Sequence, residues 1–248
     1  MKTLKNLFFG ILLFIAAVIA LAYAFNYQHL FNAIALTYLK GEASATIDDG
    51  VDFPSRNIEK GVAQPWQKDS LYNKTSLPKN IVDNLKSTNS ASFLVIKDGK
   101  LVHEEYFGEY KPTTQTNSFS MAKAITVLLM GLAIEDQKIK SENQKFADFY
   151  PNFNEVEHGN ELTLRDLAAM EAGYYWDEDY RNPFLQNPRV YYGKNMAEAL
   201  LKSPQFEAKP GSRFEYQSGA TQLLGFAIRK AVNVPLSAYA SQKLWKPL

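Results

Sequence analysis

Cysteine is absent from the 248-residue chain. Its absence excludes disulfide bonds, thiolate zinc sites and a cysteine nucleophile. Histidine is scarce as well, since only His29, His103 and His158 occur, and their scattered positions do not predict a metal cluster. We therefore expect neither a cofactor nor a bound metal ion.

The chain also lacks an excess of either charge. With 27 basic and 26 acidic residues, its formal net charge is +1. There is no basic stripe and no acidic tail, so the sequence indicates neither a nucleic-acid partner nor a disordered solvating segment. At this length, and with 46% hydrophobic residues, the chain can form one large domain or two small ones around a core.

One long apolar run, Leu7 to Phe25, carries no charge and follows Lys2 and Lys5. It is about as long as the roughly 20 apolar residues that a helix needs to cross a bilayer. Ala22-Tyr23-Ala24 also has the form of a signal-peptidase site, and cleavage after Ala24 would give a secreted or periplasmic protein. We favour an uncleaved signal-anchor whose basic residues hold the N-terminus in the cytoplasm. Both interpretations place the rest of the chain outside the cytoplasm.

After the apolar run, residues 41–70 are polar, contain several Gly and Pro, and lack sustained periodicity. This composition predicts an extended arm or stalk. A short helix is predicted over residues 79–88. Next come two strand-like runs, Phe93 to Ile96 and Leu101 to Phe107, separated by a turn with Asp-Gly, which predicts a β-hairpin.

The remainder of the sequence is mostly helical in pattern. Helices are predicted over residues 120–135, 164–172, 196–203, 220–232 and 236–244. The predicted division of the chain is an anchor over residues 1–25, a stalk and arm over 26–90, and the main domain over 91–248.

The predicted helix from Ser120 to Glu135 is apolar on nearly every side but contains Lys123. Such a helix is usually buried, so the lysine charge must be matched, suppressed or used. Residues three apart share a helix face, which places the Ser120 hydroxyl beside the Lys123 amine. Apolar surroundings lower the pKa of a lysine, so that it can accept a proton from the serine. In the competing interpretation Ser120 caps the helix and Lys123 extends into water.

A second motif, PGSRFEYQSGATQLLG, places Tyr216 and Ser218 just before another amphipathic helix. A tyrosine directed at the lysine is suited to relay a proton between a nucleophile and a leaving group. Asp177, Glu178 and Asp179 lie between the two motifs and suggest calcium. We interpret them instead as a solvated loop at the rim of a pocket, because hard cations need a fuller cage of oxygen ligands.

Three motifs in this order, SFSMAK, LTLRDLAAMEAGYYWDEDY and PGSRFEYQSGATQLLG, resemble the serine β-lactamase-related hydrolases. This family includes class C β-lactamases, D-alanyl-D-alanine carboxypeptidases, serine esterases and 6-aminohexanoate-dimer hydrolases. The resemblance covers roughly residues 93–248. The Trp-Asp-Glu-Asp ending of the middle motif is most similar to the oligoamide hydrolase and esterase branch. The resemblance implies an α+β fold with an antiparallel sheet flanked by helices, plus an all-α region.

The resemblance also implies roles for individual residues. Ser120 attacks a carbonyl of an amide or ester and becomes acylated, while Lys123 and Tyr216 share the general base and acid work. Ser218 contacts the substrate or Lys123, and the backbone N–H of Ser120 is one oxyanion donor. The protein is then a serine acyl hydrolase of a bacterial cytoplasmic membrane. The alternatives are a non-catalytic penicillin-recognising protein and an inactive remnant.

Family members carry a Lys- or His-x-Gly motif on a later strand, and no such motif follows Tyr216 here. The segment His158-Gly159-Asn160 precedes the tyrosine and is predicted to be a loop. The sequence therefore predicts the first two thirds of such an enzyme, with one oxyanion donor and an open edge on the hairpin.

Overall fold

The computed structural model describes residues 2–180 and 182–248. Its helices are α1 (Lys2–Ala24), α2 (His29–Leu36), α3 (Lys79–Ser87), α4 (Met121–Glu135), α5 (Leu164–Ala168), α6 (Gln186–Tyr192), α7 (Met196–Leu201), α8 (Ser218–Val232) and α9 (Leu236–Ala240). Its strands are β1 (Gln67–Lys68), β2 (Ser92–Lys97) and β3 (Lys100–Tyr106).

The three strands form one sheet in the order β1-β3-β2. Strands β2 and β3 pair antiparallel across Asp98 and Gly99, whose φ values of 51° and 73° are those of a tight hairpin turn. The predicted hairpin is confirmed. The sequence did not predict β1, which pairs parallel with β3 through only two residues.

All predicted helical segments are present, although some ends differ. The segment predicted over residues 164–172 ends at Ala168, and the one over 236–244 changes at Ala240 into a π-helical turn, Ser241–Trp245. Helices α2 and α6 were not predicted.

Helix α8 lies at the centre of the hydrophobic core. Its buried residues recur at helical spacing: Ala220, Leu223, Leu224, Ala227 and Ile228. This face packs against α4, α5, α7 and α9. The core therefore fixes α4 and α8 relative to each other.

The prediction that α4 is buried on every side is wrong. Leu129, Met130 and Ala133 face α8 and the core, but Met121 is 72% exposed and Leu128 is 54% exposed. The cause is that α8 and the π-helical turn Ser241–Trp245 cover only one face of α4. Its first turn is therefore open to solvent.

Helix α1 is long and apolar enough to cross a membrane over Thr3–Ala24, where the mean hydropathy reaches 2.7, and none of that window is buried in the protein. This statement rests on length and composition, and an N-terminal signal sequence meets the same criterion.

The joint between α1 and α2 is a compact turn. Asn26 is left-handed with φ 58°, and the Tyr27 N–H donates to the Ala22 carbonyl at 2.7 Å. The Asn26 N–H donates to the Tyr23 carbonyl at 3.3 Å, which completes the Schellman pattern of a helix C-terminus. Rings of Tyr23 and Phe31 stack across the joint with centroids 6.4 Å apart. These contacts restrict the angle between the two helices.

Helix α2 lies in the region predicted to be a stalk and arm, and it packs on α6 of the main body. His29 is buried, and its Nε2 is 2.8 Å from the Pro183 carbonyl oxygen. The Asn32 amide donates to the Tyr192 carbonyl at 2.9 Å. The division at residue 90 stays a prediction, but residues 29–36 are helical and attached to the main body.

Candidate active site

Ser120 lies at the N-terminus of α4 and is exposed. Its side chain makes no capping hydrogen bond, which disfavours the interpretation of Ser120 as a helix cap. Among the residues that the structure describes, the Ser120 backbone N–H has no hydrogen-bond acceptor. The preceding residue, Phe119, is left-handed with φ 45°, an uncommon conformation for a bulky side chain. This turn precedes an exposed Ser120 at the start of the helix.

The structure brings together the three residues predicted to be catalytic. Lys123 Nζ donates to Ser120 Oγ at 3.1 Å, as expected for residues one helical turn apart. The Tyr216 hydroxyl donates to the same oxygen at 2.6 Å, although the two residues are 96 positions apart. Lys123 Nζ also lies 4.9 Å from the centroid of the Tyr216 ring. Both proton-transfer candidates are therefore within hydrogen-bond reach of one hydroxyl.

The surroundings of Tyr216 alter its acidity. Partial burial raises the pKa of Tyr216, but hydrogen bonds with Lys123 and Ser120 and the Lys123 charge lower it, so that the net pKa is below the ordinary value of 10.0. The negative charge of Glu178 opposes this effect. Tyr216 therefore reaches its phenolate form, which can accept the serine proton, more readily than a free tyrosine.

Ser218 begins α8, two residues after Tyr216. Its hydroxyl donates to Glu178 Oε1, and its backbone N–H donates to Glu178 Oε2 at 2.9 Å. The role of Ser218 as a substrate or Lys123 contact stays a prediction.

Glu178, which the sequence assigned to a pocket-rim loop, is a residue of this site to which it gave no catalytic or binding role. It is half-buried, and this burial raises the pKa of its carboxyl. Four hydrogen bonds lower the pKa by more than burial raises it, so that the net shift is downward. The donors are Ser218, through both its groups, the Trp176 indole and the Tyr180 hydroxyl. The prediction of a solvated rim loop is therefore wrong for Glu178, because the carboxylate folds onto α8.

The acidic loop does not form a cation cage. Among the described residues, no group of three or more His, Asp or Glu side chains is arranged to hold a metal ion. Asp177 and Asp179 are exposed, and Asp177 Oδ1 accepts from the Asp179 N–H at 2.8 Å in a local turn. Two surface hollows of about 420 Å³ and 550 Å³ are lined by other parts of the chain, the first around Phe206 and the second around His103.

A sequence profile of the family described as Beta-lactamase matches residues 78–248. The match spans more than half of the chain and includes the cluster around Ser120. The chain belongs to the β-lactamase family. The resemblance is thus confirmed, and with it the predicted α+β fold of the β-lactamase/transpeptidase type.

Curated relatives of this β-lactamase-family chain include a provisionally named D-alanyl-D-alanine carboxypeptidase from Escherichia coli K12. The two are 25% identical over 179 residues, which cover 64% of this chain and 41% of the relative. A second such relative, from Escherichia coli O157:H7, is 27% identical over the same length. The chain thus spans about two fifths of the length of these relatives.

Solved structures with a similar fold include a provisionally named 6-aminohexanoate-dimer hydrolase from Bacillus anthracis. Its TM-score is 0.58 at 21% identity, over 86% of this chain and 58% of that chain. FmtA from Staphylococcus aureus has a TM-score of 0.50 at 19% identity, over 82% and 55% of the two chains. At these identities the similarity shows the fold alone.

Proposed function

We propose that the protein is a serine acyl hydrolase that cleaves an amide or ester through an acyl-enzyme on Ser120. The observation that carries the proposal is the contact of Lys123 Nζ and the Tyr216 hydroxyl with one oxygen, Ser120 Oγ. A serine hydroxyl is a weak nucleophile until an adjacent base takes its proton, and this site offers two adjacent bases.

In the proposed reaction, Ser120 Oγ forms a bond to the substrate carbonyl carbon and gives its proton to the Lys123–Tyr216 pair. The pair then protonates the leaving nitrogen or oxygen as the bond to the acyl carbon breaks. A water molecule attacks the acyl-enzyme, releases the acid and restores the serine. Lys123 and Tyr216 thus act together as general base and general acid.

The developing oxyanion needs hydrogen-bond donors beside the serine. The Ser120 backbone N–H, which has no acceptor among the described residues, is suited to be one of them. It lies where the dipole of the 15-residue helix α4 also favours negative charge. Each such donor typically contributes a factor of about 10²–10³ in rate.

Attachment to a membrane through α1 is part of the proposal, with the catalytic region, residues 91–248, outside the cytoplasm. The apolar, unburied helix and the lysines at its N-terminal end support this topology. The cysteine-free sequence makes the test direct. A single Lys138→Cys variant should react with a membrane-impermeant maleimide on intact cells, whereas Thr3→Cys should react only after lysis. The reverse pattern would contradict the topology.

The catalytic proposal is tested by acylating the full chain in detergent micelles with a fluorophosphonate probe and mapping the adduct by mass. We expect the adduct on Ser120. The matched control is Ser118→Ala, because Ser118 is also exposed and lies two residues away, and its side chain takes no part in the hydrogen bonds of the cluster among the described residues. Ser120→Ala should abolish labelling and Ser118→Ala should preserve it.

Equal labelling of both variants would refute the proposal. A penicillin-type probe that forms a stable adduct on Ser120, with no turnover of any ester or amide, would favour the penicillin-recognising alternative.

A further inference from the structure

Glu178 occupies all of its hydrogen-bonding capacity within the protein. Oε2 accepts from the Trp176 indole N–H at 2.5 Å and from the Ser218 backbone N–H at 2.9 Å. Oε1 accepts from the Tyr180 hydroxyl at 2.7 Å and from the Ser218 hydroxyl. Two oxygens with four lone pairs thus meet four donors. The carboxylate is left with no lone pair for a metal ion or for a proton from a substrate.

These bonds attach the loop to the first turn of α8. A carboxylate at this end of a helix satisfies a backbone N–H that has no intrahelical partner and is favoured by the helix dipole. The neighbouring residue is held from the same loop, since the buried Gln217 amide donates to the Tyr174 carbonyl at 2.6 Å. Two consecutive residues, Gln217 and Ser218, are therefore fixed by the segment 174–178.

Tyr216 immediately precedes this fixed pair. Its side chain is 43% exposed, so packing alone does little to hold its hydroxyl on Ser120. The position of the Tyr216 backbone must therefore be fixed by the residues that follow it, Gln217 and Ser218. We propose that Glu178 is the positioning residue of the site, which orients Tyr216 toward Ser120 by binding the start of α8. This inference rests on the proposed function.

Two substitutions separate the effect of the hydrogen bonds of Glu178 from the effect of its charge. In Glu178→Gln the amide oxygen can accept from the two obligate donors, the Trp176 indole and the Ser218 N–H. The amide nitrogen can donate to the two hydroxyls, of Ser218 and Tyr180, because a hydroxyl also accepts. The variant therefore keeps the contacts and loses the charge. Glu178→Ala loses both, and Asp177→Asn is the control that removes a charge from the same loop but keeps the four hydrogen bonds to Glu178.

The measurement is the fluorophosphonate acylation rate of Ser120 against pH in the full chain, normalised to the folded fraction. We expect Glu178→Ala to lose about 10- to 100-fold, as displaced catalytic groups do. Glu178→Gln should stay within about threefold of wild type, which is rescue by the conservative variant. Its pH profile should move to lower pH, because the Glu178 charge raises the pKa of Tyr216 and its removal lowers that pKa.

In the described part of the chain, the groups that act on the Tyr216 hydroxyl are Lys123 on α4, Ser120 just before α4, and Glu178 in the loop. Asp177→Asn should match the wild type in rate and profile. A normalised rate for Glu178→Ala equal to wild type would overturn the inference. The inference would also be overturned if unfolding accounted for the whole loss of acylation rate in Glu178→Ala and the pH profile of Glu178→Gln did not shift.

Failure of the proposed function has a different signature, because the wild type itself would not be acylated. In that case the NMR titration of ¹³C-labelled tyrosine, with the Tyr216 signal assigned from Tyr216→Phe, still tests the positioning. The Tyr216 pKa should be lower in Glu178→Gln than in wild type. In Glu178→Ala it should be higher than in Glu178→Gln, because the contacts with Lys123 and Ser120 that lower it are lost. Identical titrations in all three proteins would overturn the inference.

Discussion

Two glycines of helix α8 provide a matched pair of substitutions that tests how the tyrosine motif is built. A Cβ at Gly219 would lie 2.4 Å from Cε3 of Trp176 and 2.8 Å from Cδ2, well inside the normal carbon–carbon contact of about 3.5–4.0 Å. A Cβ at Gly225 would have Leu236 as its nearest neighbour at 3.7 Å, an ordinary contact. The same chemical change therefore meets a rigid ring at one site and open packing at the other.

The magnitudes follow from these distances. Alanine is more favourable than glycine in a helix interior by about 1 kcal/mol, so Gly225→Ala should stabilise the protein by about that amount. Gly219→Ala forces the buried indole of Trp176 away, and overpacking of this kind costs about 1–3 kcal/mol. The two variants should then differ by about 2–4 kcal/mol in the free energy of unfolding, in opposite directions from wild type.

Chemical denaturation of the full chain in detergent micelles, followed by tryptophan fluorescence and circular dichroism, measures both values. Since the Trp176 indole donates to Glu178, we also expect Gly219→Ala to slow the acylation of Ser120, whereas Gly225→Ala should leave its rate unchanged. If Gly219→Ala were as stable as Gly225→Ala, the close packing of Trp176 on α8 would be refuted.

Three further predictions concern proton transfer and acid stability. Tyr216→Phe should lower the fluorophosphonate labelling rate by about 10²–10⁴-fold and leave the fold intact, because it removes only an exposed hydroxyl. The wild-type labelling rate should rise with pH and level off below the ordinary tyrosine pKa of 10.0, and a rise only near pH 10 would contradict the lowered pKa. The pKa of Asp136 is lowered by hydrogen bonds from Lys243 and Tyr239, so its contribution to stability is present above its ordinary pKa of 3.8 and is lost as the pH falls below it. Asp136→Asn should therefore show less loss of stability than wild type when denaturation midpoints are compared between pH 5 and pH 2.

The sequence predicts the contact between the Ser120 and Lys123 side chains in the candidate site. Ser120 and Lys123 are three apart on a helix, and that spacing alone places their side chains together. The hairpin follows from its Asp-Gly turn. The burial of α4 could not be predicted, because apolar composition does not say which faces a neighbouring helix covers. Helix α6 was missed because Pro188 and the preceding loop residues interrupt any helical pattern.

The contact of Tyr216 with Ser120, by contrast, depends on tertiary packing that the hydrophobic periodicity of the sequence does not encode. Tyr216 was identified through its motif, but its distance from Ser120 is set where α8 packs on α4 and where the loop residue Glu178 binds the start of α8. Glycine at position 219 lets the Trp176 indole approach the helix closely enough for this bond to form. The motif Tyr-x-Ser-Gly therefore contains two kinds of residue. The tyrosine is suited to the chemistry, and the serine and glycine receive the loop that holds the tyrosine in place.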